Sequence, residues 1–470
     1  MLFNSAEFIL FFTAVTLLFY LVPHKYRWML LLAASCFFYM WFIPAYILIL
    51  LVTILIDFTA GILIEQWADS PARKKRCLVV SIVSTCLVLF IFKYLNFCSE
   101  NLVALAHHFG WEHPAKALNI ILPIGLSFHT FQSLSYVIEV YRGNQKAERH
   151  FGYYSLYVMF YPQLVTGPIE RPQNLLSQLH EEKPFKYDNL ANGLRLILFG
   201  LVLKMVVADN LGRYVDMIYE TPESYSSLDI LTGLFFYSFQ IYGDFFGYSS
   251  VALGCALCMG FTLVDNFKAP YLSGSIQTFW RRWHISLSTW FRDYLYIPLG
   301  GSRAGNVRRA FNLLVVFTVC GLWHGANWTF LLWGAAYGIL MIAERALERL
   351  PLFSKDNSSR LVHAARVLLT FAIVTLLWAV FRAPSLHALG GLFAALSSNW
   401  HLAGALHVDT VTILSLVLAA LLLWPVRHSR FDKWCGQKPA AARWCIYAVL
   451  IFALATMSSI QQYPFIYFQF

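Results

Sequence analysis

The chain has 470 residues, of which 59% are hydrophobic and only 13% are charged. Because a soluble domain carries about 25% charged residues and apolar runs recur here along the whole chain, the composition excludes a soluble protein. The formal net charge of +10 does not indicate nucleic-acid binding, since the basic residues lie in short loops between apolar runs, as in membrane proteins. The sequence therefore predicts an integral membrane protein that binds no nucleic acid.

The apolar runs predict an all-α polytopic membrane protein. Because a crossing needs about 20 apolar residues, we predict roughly 11–13 transmembrane helices, together with buried or re-entrant helices. The windows 227–260 and 311–345 are long enough to be broken or doubled, and the weak stretch 386–397 could change the count. With no internal repeat or soluble appendage in the sequence, a single membrane domain over residues 1–470 is the simplest organisation. The candidate spans are 8–22, 28–41, 44–64, 77–95, 118–140, 151–168, 189–208, 227–260, 311–345, 361–381, 408–425 and 443–460.

Basic residues predict the orientation of the chain in the membrane. The loops 24–27, 73–76 and 142–149 are rich in Lys and Arg, whereas the turns between them carry little positive charge. Cytoplasmic loops carry an excess of these residues. We therefore expect these three loops in the cytoplasm and the N-terminus on the opposite side.

The window 277–294 is too polar to cross lipid alone and too aromatic for an ordinary loop. At helical spacing its residues Arg281, His284 and Ser288 share one face. One interpretation is an amphipathic helix at the membrane interface, anchored by Trp residues. The other is a helix inside the protein that lines a polar cavity. The spacing alone does not decide between them.

His324 is the single ionisable side chain in the apolar window 312–341. A straight helix of that length would span about 45 Å, longer than the roughly 30 Å hydrocarbon core, and Gly321 and Gly325 allow a break or a close helix contact. Asn327, three residues further on, could orient the ring. A lone histidine is usually a core residue, but this setting favours a functional role, because neutral imidazole is a general base near pH 7.

Asp244 lies deep in an otherwise uncharged run. A buried carboxylate is usually paired, so we predict a structural ion pair with an arginine of the window 277–294 rather than direct catalysis. The sequence contains no GxSxG elbow, P-loop, HExxH or paired CxxC motif. It therefore lacks the catalytic motifs of soluble-type hydrolases and the nucleotide-binding motif of nucleotide-driven pumps. We predict no metal site.

Three stretches carry a resemblance to a known family: FWRRWHISLSTW at 279–290, RDYLYIPLGG at 292–301 and GLWHGAN at 321–327. Shorter matches lie at 122–125, 141–143, 167–169, 378–383 and 465–470. With these stretches the chain resembles the membrane-bound O-acyltransferases, and most closely their bacterial alginate O-acetyltransferase branch.

The resemblance implies transfer of an acyl group from a thioester to a hydroxyl across a central tunnel through the membrane. His324 matches the catalytic histidine of the family, and His284 matches its second histidine. The residues expected to line or support the tunnel are Trp280, Arg281, Trp323, Asn327 and Asp244. In this branch the donor is acetyl-CoA at the cytoplasmic face, and no cofactor stays bound.

The resemblance also implies a bacterial cytoplasmic (inner) membrane location and an exported or cell-envelope polysaccharide as acceptor. The acceptor is often reached through a separate periplasmic or otherwise extracytoplasmic acetyltransferase partner. Alginate is the first choice. His129 and Gly243 depart from the alginate pattern, which keeps cellulose and peptidoglycan as alternatives.

The C-terminal pattern Phe465-x-Tyr467-x-x-Phe470 resembles a terminal motif proposed to carry an acyl group on tyrosine in related envelope-acylating systems. The alternative is an aromatic belt at the membrane interface. A transporter or flippase for an envelope glycan precursor would also combine many spans with intramembrane polar residues. A non-catalytic scaffold would leave His324 and the window 277–294 unexplained.

Overall fold

The structure is a computed structural model that describes residues 1–470 except 112–122, 304, 348–358, 402, 405–406, 460–462 and 467–470. The described part of the chain is helical and contains no strand, which confirms the predicted all-α class. The helices group into two compact units, one of residues 1–191 and 255–264 and the other of residues 192–254 and 265–470. The single domain over residues 1–470 stays a prediction.

The helices are numbered α1 to α21 in chain order. They are Ala6–Leu21, His24–Met40, Ile47–Gln66, Pro71–Lys93, Leu95–His108, Leu126–Arg142, Phe151–Met159, Tyr161–Leu164, Pro172–His180, Tyr187–Leu201, Asp209–Glu220, Ser227–Cys258, Ile276–Trp280, Ile285–Phe291, Gly305–His324, Trp328–Leu347, Arg360–Arg382, Leu386–Ser398, Thr410–Val426, Phe431–Gly436 and Ala440–Met457. Two π-helical segments, Val202–Ala208 and Arg292–Tyr296, continue α10 and α14.

Among the described residues, seven helical stretches are long and apolar enough to cross a membrane, and α1 and α19 are shorter apolar helices. This confirms a multi-pass protein, although the estimate of 11–13 crossings exceeds the number of such helices. The window 151–168 is not one span, because α7 ends at Met159 and Pro162 lies in the first turn of the short α8. The window 227–260 is one unbroken helix, α12, whereas 311–345 is divided between α15 and α16.

The first unit contains a polar contact between two of its apolar helices. Asp57 of α3 is fully buried and accepts hydrogen bonds from the hydroxyls of Ser81 (2.6 Å) and Thr85 (3.1 Å) of α4. A carboxyl group at membrane depth needs such donors, because lipid supplies none. The pair of helices is therefore held in one register by polar contacts as well as by packing.

The second unit relies on glycines where its long helices approach each other. A Cβ atom on Gly334 of α16 would overlap the carbonyl oxygen of Phe317 in α15, and a Cβ atom on Gly321 of α15 would overlap the carbonyl oxygen of Phe330 in α16. Small residues at a helix contact let backbones approach closely in membrane proteins. The two glycines thus set the distance between α15 and α16.

We expect the substitution Gly334→Ala to destabilise the second unit, because the new methyl group has no room beside Phe317. Overpacking of this kind costs about 1–3 kcal/mol. Thermal unfolding of the purified protein in detergent measures the effect. Gly390→Ala is the matched control, since nothing lies within 4 Å of a Cβ atom at that exposed position of α18; equal melting temperatures of the two variants would contradict the close crossing.

Candidate active site

His324 is the last residue of α15, and its ring orientation is fixed from within the same helix. Its Nδ1 atom lies 2.7 Å from the carbonyl oxygen of Cys320. A carbonyl oxygen only accepts hydrogen bonds, so Nδ1 carries the proton in the neutral ring and Nε2 carries the lone pair. A histidine in this tautomer can take a proton from a hydroxyl at Nε2.

Aromatic side chains enclose the His324 ring. The ring centres of Trp323, Trp333 and Phe381 lie 5.0, 5.1 and 5.4 Å from its own, and only 4% of the residue is exposed. Such surroundings exclude water from the ring.

The chain turns between α15 and α16 over residues 325–327. A Cβ atom on Gly325 would overlap the ring of Phe330, so this tight turn requires a glycine. Asn327 accepts a hydrogen bond from the backbone N–H of Thr329 (3.1 Å) and donates one to the carbonyl of Pro384 (2.8 Å). The interpretation that Asn327 orients the His324 ring is therefore wrong. Asn327 instead fixes the start of α16, while the carbonyl of Cys320 orients the ring.

The polar window 277–294 lies inside the second unit and is not one helix. Trp283 and Trp290 are buried rather than displayed as membrane anchors, which favours the interpretation of a segment inside the protein. Helix α13 ends at Trp280 and α14 begins at Ile285. The expectation that Arg281, His284 and Ser288 share a face is therefore wrong, because the turn at 281–284 leaves Arg281 exposed and His284 fully buried.

His284 occupies a strained backbone conformation at the start of α14. Its φ of 43° lies in the left-handed region, which costs a non-glycine residue about 1–3 kcal/mol. Asn266 holds the turn: its main-chain carbonyl accepts from the N–H of Ile285 (3.0 Å), and its side-chain oxygen accepts from the hydroxyl of Ser286 (2.7 Å). Strain maintained in this way is characteristic of functional positions.

The structure brings the rings of the two predicted catalytic histidines close to the ring of one tryptophan, Trp323. The ring centre of Trp323 lies 6.2 Å from that of His284 and 5.0 Å from that of His324. Trp280, a predicted supporting residue, packs against Trp333 at 5.7 Å, and Trp333 in turn contacts His324. Five residues from two stretches of the chain, 280–284 and 323–333, thus form one aromatic and imidazole cluster.

Asp244 forms the predicted ion pair, but not with an arginine of the window 277–294. Its carboxylate lies 2.6 Å from the ammonium group of Lys204, which also contacts Asp209 at 2.7 Å. All three side chains are buried. Lys204 was not among the residues predicted for the site. It is nevertheless an isolated lysine within an apolar run, five residues before an aspartate, and such a pattern indicates a buried ion pair.

A close helix contact brings this ion cluster together. Lys204 lies in the π-helical segment 202–208. Gly243, which departs from the alginate pattern, faces that segment. A Cβ atom on Gly243 would lie 3.1 Å from the carbonyl oxygen of Leu203. A side chain at position 243 would push the two helices apart. The small residue therefore matches the local geometry of this chain.

The C-terminal tail reaches the same cluster. The backbone N–H of Ile466 donates to the second carboxylate oxygen of Asp244 at 2.8 Å, and Phe465 is fully buried. Tyr467, the candidate acyl carrier, follows in the sequence but lies outside the described residues.

A basic cavity of about 270 Å³ lies behind the turn that holds His284. Lys268, Arg427 and Arg430 line it together with one acidic residue, Asp265. Asn266 also lines the cavity and, as described above, binds the residues that follow His284. The cavity thus adjoins the polar segment of the candidate active site.

Comparison with known proteins gives a consistent result. The model of the membrane-bound O-acyltransferase family matches residues 146–362. The chain is 37% identical over 426 residues to the "Probable alginate O-acetylase AlgI" of Azotobacter vinelandii, covering 90% of this chain and 83% of that protein. It is 36% identical over 429 residues to the protein of the same name from Pseudomonas aeruginosa, covering 89% and 81%. It is 33% identical over 427 residues to the "Peptidoglycan O-acetyltransferase" of Helicobacter pylori, covering 83% and 78%.

Proposed function

Because this chain belongs to the membrane-bound O-acyltransferase family, we propose that it transfers acetyl groups from cytoplasmic acetyl-CoA through the membrane. The acceptor is an exported or cell-envelope polysaccharide, with alginate as first choice and peptidoglycan or cellulose as alternatives. The names of its relatives support acylation of a polysaccharide. The location is the bacterial inner membrane, where a donor from the cytoplasm can meet an acceptor beyond the membrane.

His324 is the proposed general base. Its Nε2 takes the proton of an acceptor hydroxyl while the hydroxyl oxygen attacks the carbonyl carbon of the thioester. The new C–O bond forms, the C–S bond breaks, and the CoA sulfur leaves with the proton that His324 returns. The observation that carries this role is the hydrogen bond from Nδ1 to the carbonyl of Cys320, which leaves Nε2 as the basic atom.

His284 is proposed to act on the charge that develops during the transfer. Its ring and that of His324 both lie close to Trp323, and Asn266 binds the two residues that follow it. A fixed polar group in a dry site stabilises a developing oxyanion far better than one in water. The strained turn at His284 supports this role, because the hydrogen bonds that maintain it keep the ring in place before the reaction.

The basic cavity is proposed to hold the phosphate-bearing end of the donor. Lys268 and Arg427 are the proposed phosphate contacts, and Lys268 is exposed. Arg430 is instead paired with Asp432, with both distances at 2.8 Å, and lies 3.6 Å from Asp265. Guanidinium and ammonium groups are the usual partners of phosphates in proteins. The loop 426–431 belongs to a basic stretch between two apolar helices, which supports a cytoplasmic position.

The acceptor side is proposed to involve a second protein. A polysaccharide outside the membrane does not reach His324 by itself, so a separate extracytoplasmic acetyltransferase would receive the acetyl group and pass it to the polymer. Tyr467 is proposed as the carrier that hands over the acetyl group. The docking of the neighbouring residue Ile466 beside Asp244 supports this role.

The first prediction concerns His324. We expect His324→Ala to lower acetyl transfer by about 10²–10⁴-fold, as is typical for loss of a general base. Release of CoA and transfer of radiolabelled acetyl groups are measured with the purified protein, with the partner added where needed. His407→Ala is the control, because His407 is exposed. Substantial transfer by a well-folded His324→Ala protein would refute the base role.

The second prediction concerns the donor cavity. We expect Lys268→Ala and Arg427→Ala to raise the KM for acetyl-CoA with little change in kcat, because they remove contacts that do not change during the reaction. The effect should be smaller with dephospho-CoA thioester, which has one phosphate fewer. Lys433→Ala serves as the control, since this exposed lysine of the following helix α20 does not line the cavity. An unchanged KM in both cavity variants would contradict the assignment.

The third prediction concerns Tyr467. Wild type incubated with radiolabelled acetyl-CoA should retain covalent label, and Tyr467→Phe should not, because the phenol oxygen that would carry the acetyl group is gone. Tyr463→Phe removes a hydroxyl from the same tail and should keep the label. Label retained in Tyr467→Phe and lost only in His324→Ala would keep the enzyme but reject this carrier.

A transporter or flippase is the alternative, and the same assay separates it from the enzyme. A transporter consumes no thioester. If neither label nor free CoA appears, even with the partner present, the transfer reaction is excluded and the transporter interpretation takes its place. A non-catalytic scaffold would also consume none, but it gives no account of the strained turn at His284.

A further inference from the structure

The buried cluster of Lys204, Asp209 and Asp244 has an unusual balance of charges. One ammonium group lies between two carboxylates, at 2.7 Å from Asp209 and 2.6 Å from Asp244. Lys204 contacts only one oxygen of Asp244, and the other oxygen accepts from the backbone N–H of Ile466. A buried carboxylate is costly unless its oxygens are hydrogen-bonded. The tail therefore completes the polar contacts of a charged group in the interior.

Further contacts guide the tail to this cluster. The side-chain amide of Asn210 donates to the carbonyl of Met457 at 2.7 Å, and the N–H of Ser459 donates to the carbonyl of Met205 at 3.4 Å. Met205 belongs to the π-helical segment 202–208 that also contains Lys204. The end of α21 and the tail thus follow the same segment that supplies the buried cation.

The docked tail also touches the side chain that supports His284. The ring centre of Phe465 lies 5.7 Å from that of Phe245 and 5.0 Å from that of Tyr248. Phe245 packs edge-on against the His284 ring at 4.7 Å. Since Phe245 and Asp244 are adjacent in α12, the tail binds to one residue through a hydrogen bond and to its neighbour through a ring contact.

We propose that the Asp244 carboxylate, held by Lys204, is a docking site for the C-terminal tail of the same chain, and that the docked tail holds Phe245 and His284 in place for transfer. Asp244 and Lys204 are positioning residues that act through the tail and do not touch the substrate. The docking part stands on the contacts alone, whereas the effect on transfer rests on the proposed function.

Two substitutions break the docking contact from opposite sides. In Asp244→Asn an NH2 group takes the place of one carboxylate oxygen, so either the ammonium group of Lys204 or the N–H of Ile466 faces a donor. Ile466→Pro removes the N–H donor and leaves the ion cluster intact. We expect amide hydrogen exchange in the peptide 459–470 to become about tenfold faster or more in both variants, as for loss of a hydrogen bond to a charged group.

The matched controls are Asp209→Asn and Ile466→Val. The first removes a charge beside the same lysine without touching the tail, and the second keeps the N–H of residue 466. Both should retain slow exchange in the tail. The exchange rate of the tail is read relative to that of α15 in the same protein, so that a change in the stability of the whole unit is not taken for a change in the tail.

The transfer assay tests the second half of the proposal. In Asp244→Asn and Ile466→Pro we expect kcat to fall by about 10–100-fold, the size of effect that a small misplacement near the reacting groups produces, while the KM for acetyl-CoA stays unchanged. Tail exchange as slow as in wild type in both variants would overturn the docking. Fast exchange with an unchanged kcat would overturn the positioning role. Because hydrogen exchange needs no turnover, an inactive wild type would count against the proposed function and leave the docking result intact.

Discussion

Polar groups at membrane depth have to find their partners within the protein, and this constraint shapes the candidate active site. Lipid offers neither donors nor acceptors, so each buried charge or amide must be matched by another part of the chain. The ammonium group of Lys204 forms ion pairs with the carboxylates of Asp209 and Asp244. Asp244 needs a further donor and obtains it from the backbone of the tail. His324 is matched by the carbonyl of Cys320.

The hydrogen bonds that satisfy these buried polar groups also set the chemistry of the candidate site. The hydrogen bond that satisfies Nδ1 of His324 also decides which nitrogen is basic. The hydrogen bonds that satisfy Asn266 also hold the strained turn at His284. In both cases one contact serves stability and function together. Replacing a residue in either of these hydrogen bonds would therefore change the reaction as well as the fold. Measurements of activity thus need isosteric variants and control variants outside the site.

Glycine and aromatic residues provide the remaining geometry. Gly321 and Gly334 let α15 and α16 approach until their backbones are in contact, and this brings Trp333 of one helix beside His324 of the other. Gly243 has the same use beside the π-helical segment, where it faces the carbonyl of Leu203. Rings then fill the space around the imidazoles and keep water away, which suits a reaction in which a thioester must transfer its acyl group rather than hydrolyse.

The sequence by itself determined the membrane class, the all-α architecture and the family, because hydropathy and long motifs are local properties of the chain. It also predicted His284 and His324 as site residues. It also indicated a break near Gly325. It did not determine that α12 is unbroken, that the window 277–294 bends at His284, or that Asp244 pairs with Lys204. These features depend on which helices pack together. Because Asp244 and Lys204 are 40 residues apart in the chain, their pairing leaves no local pattern in the sequence. The tertiary structure alone decided that Cys320 rather than Asn327 orients His324 and that Ile466 binds Asp244, because a hydrogen bond is decided by distance and direction in space.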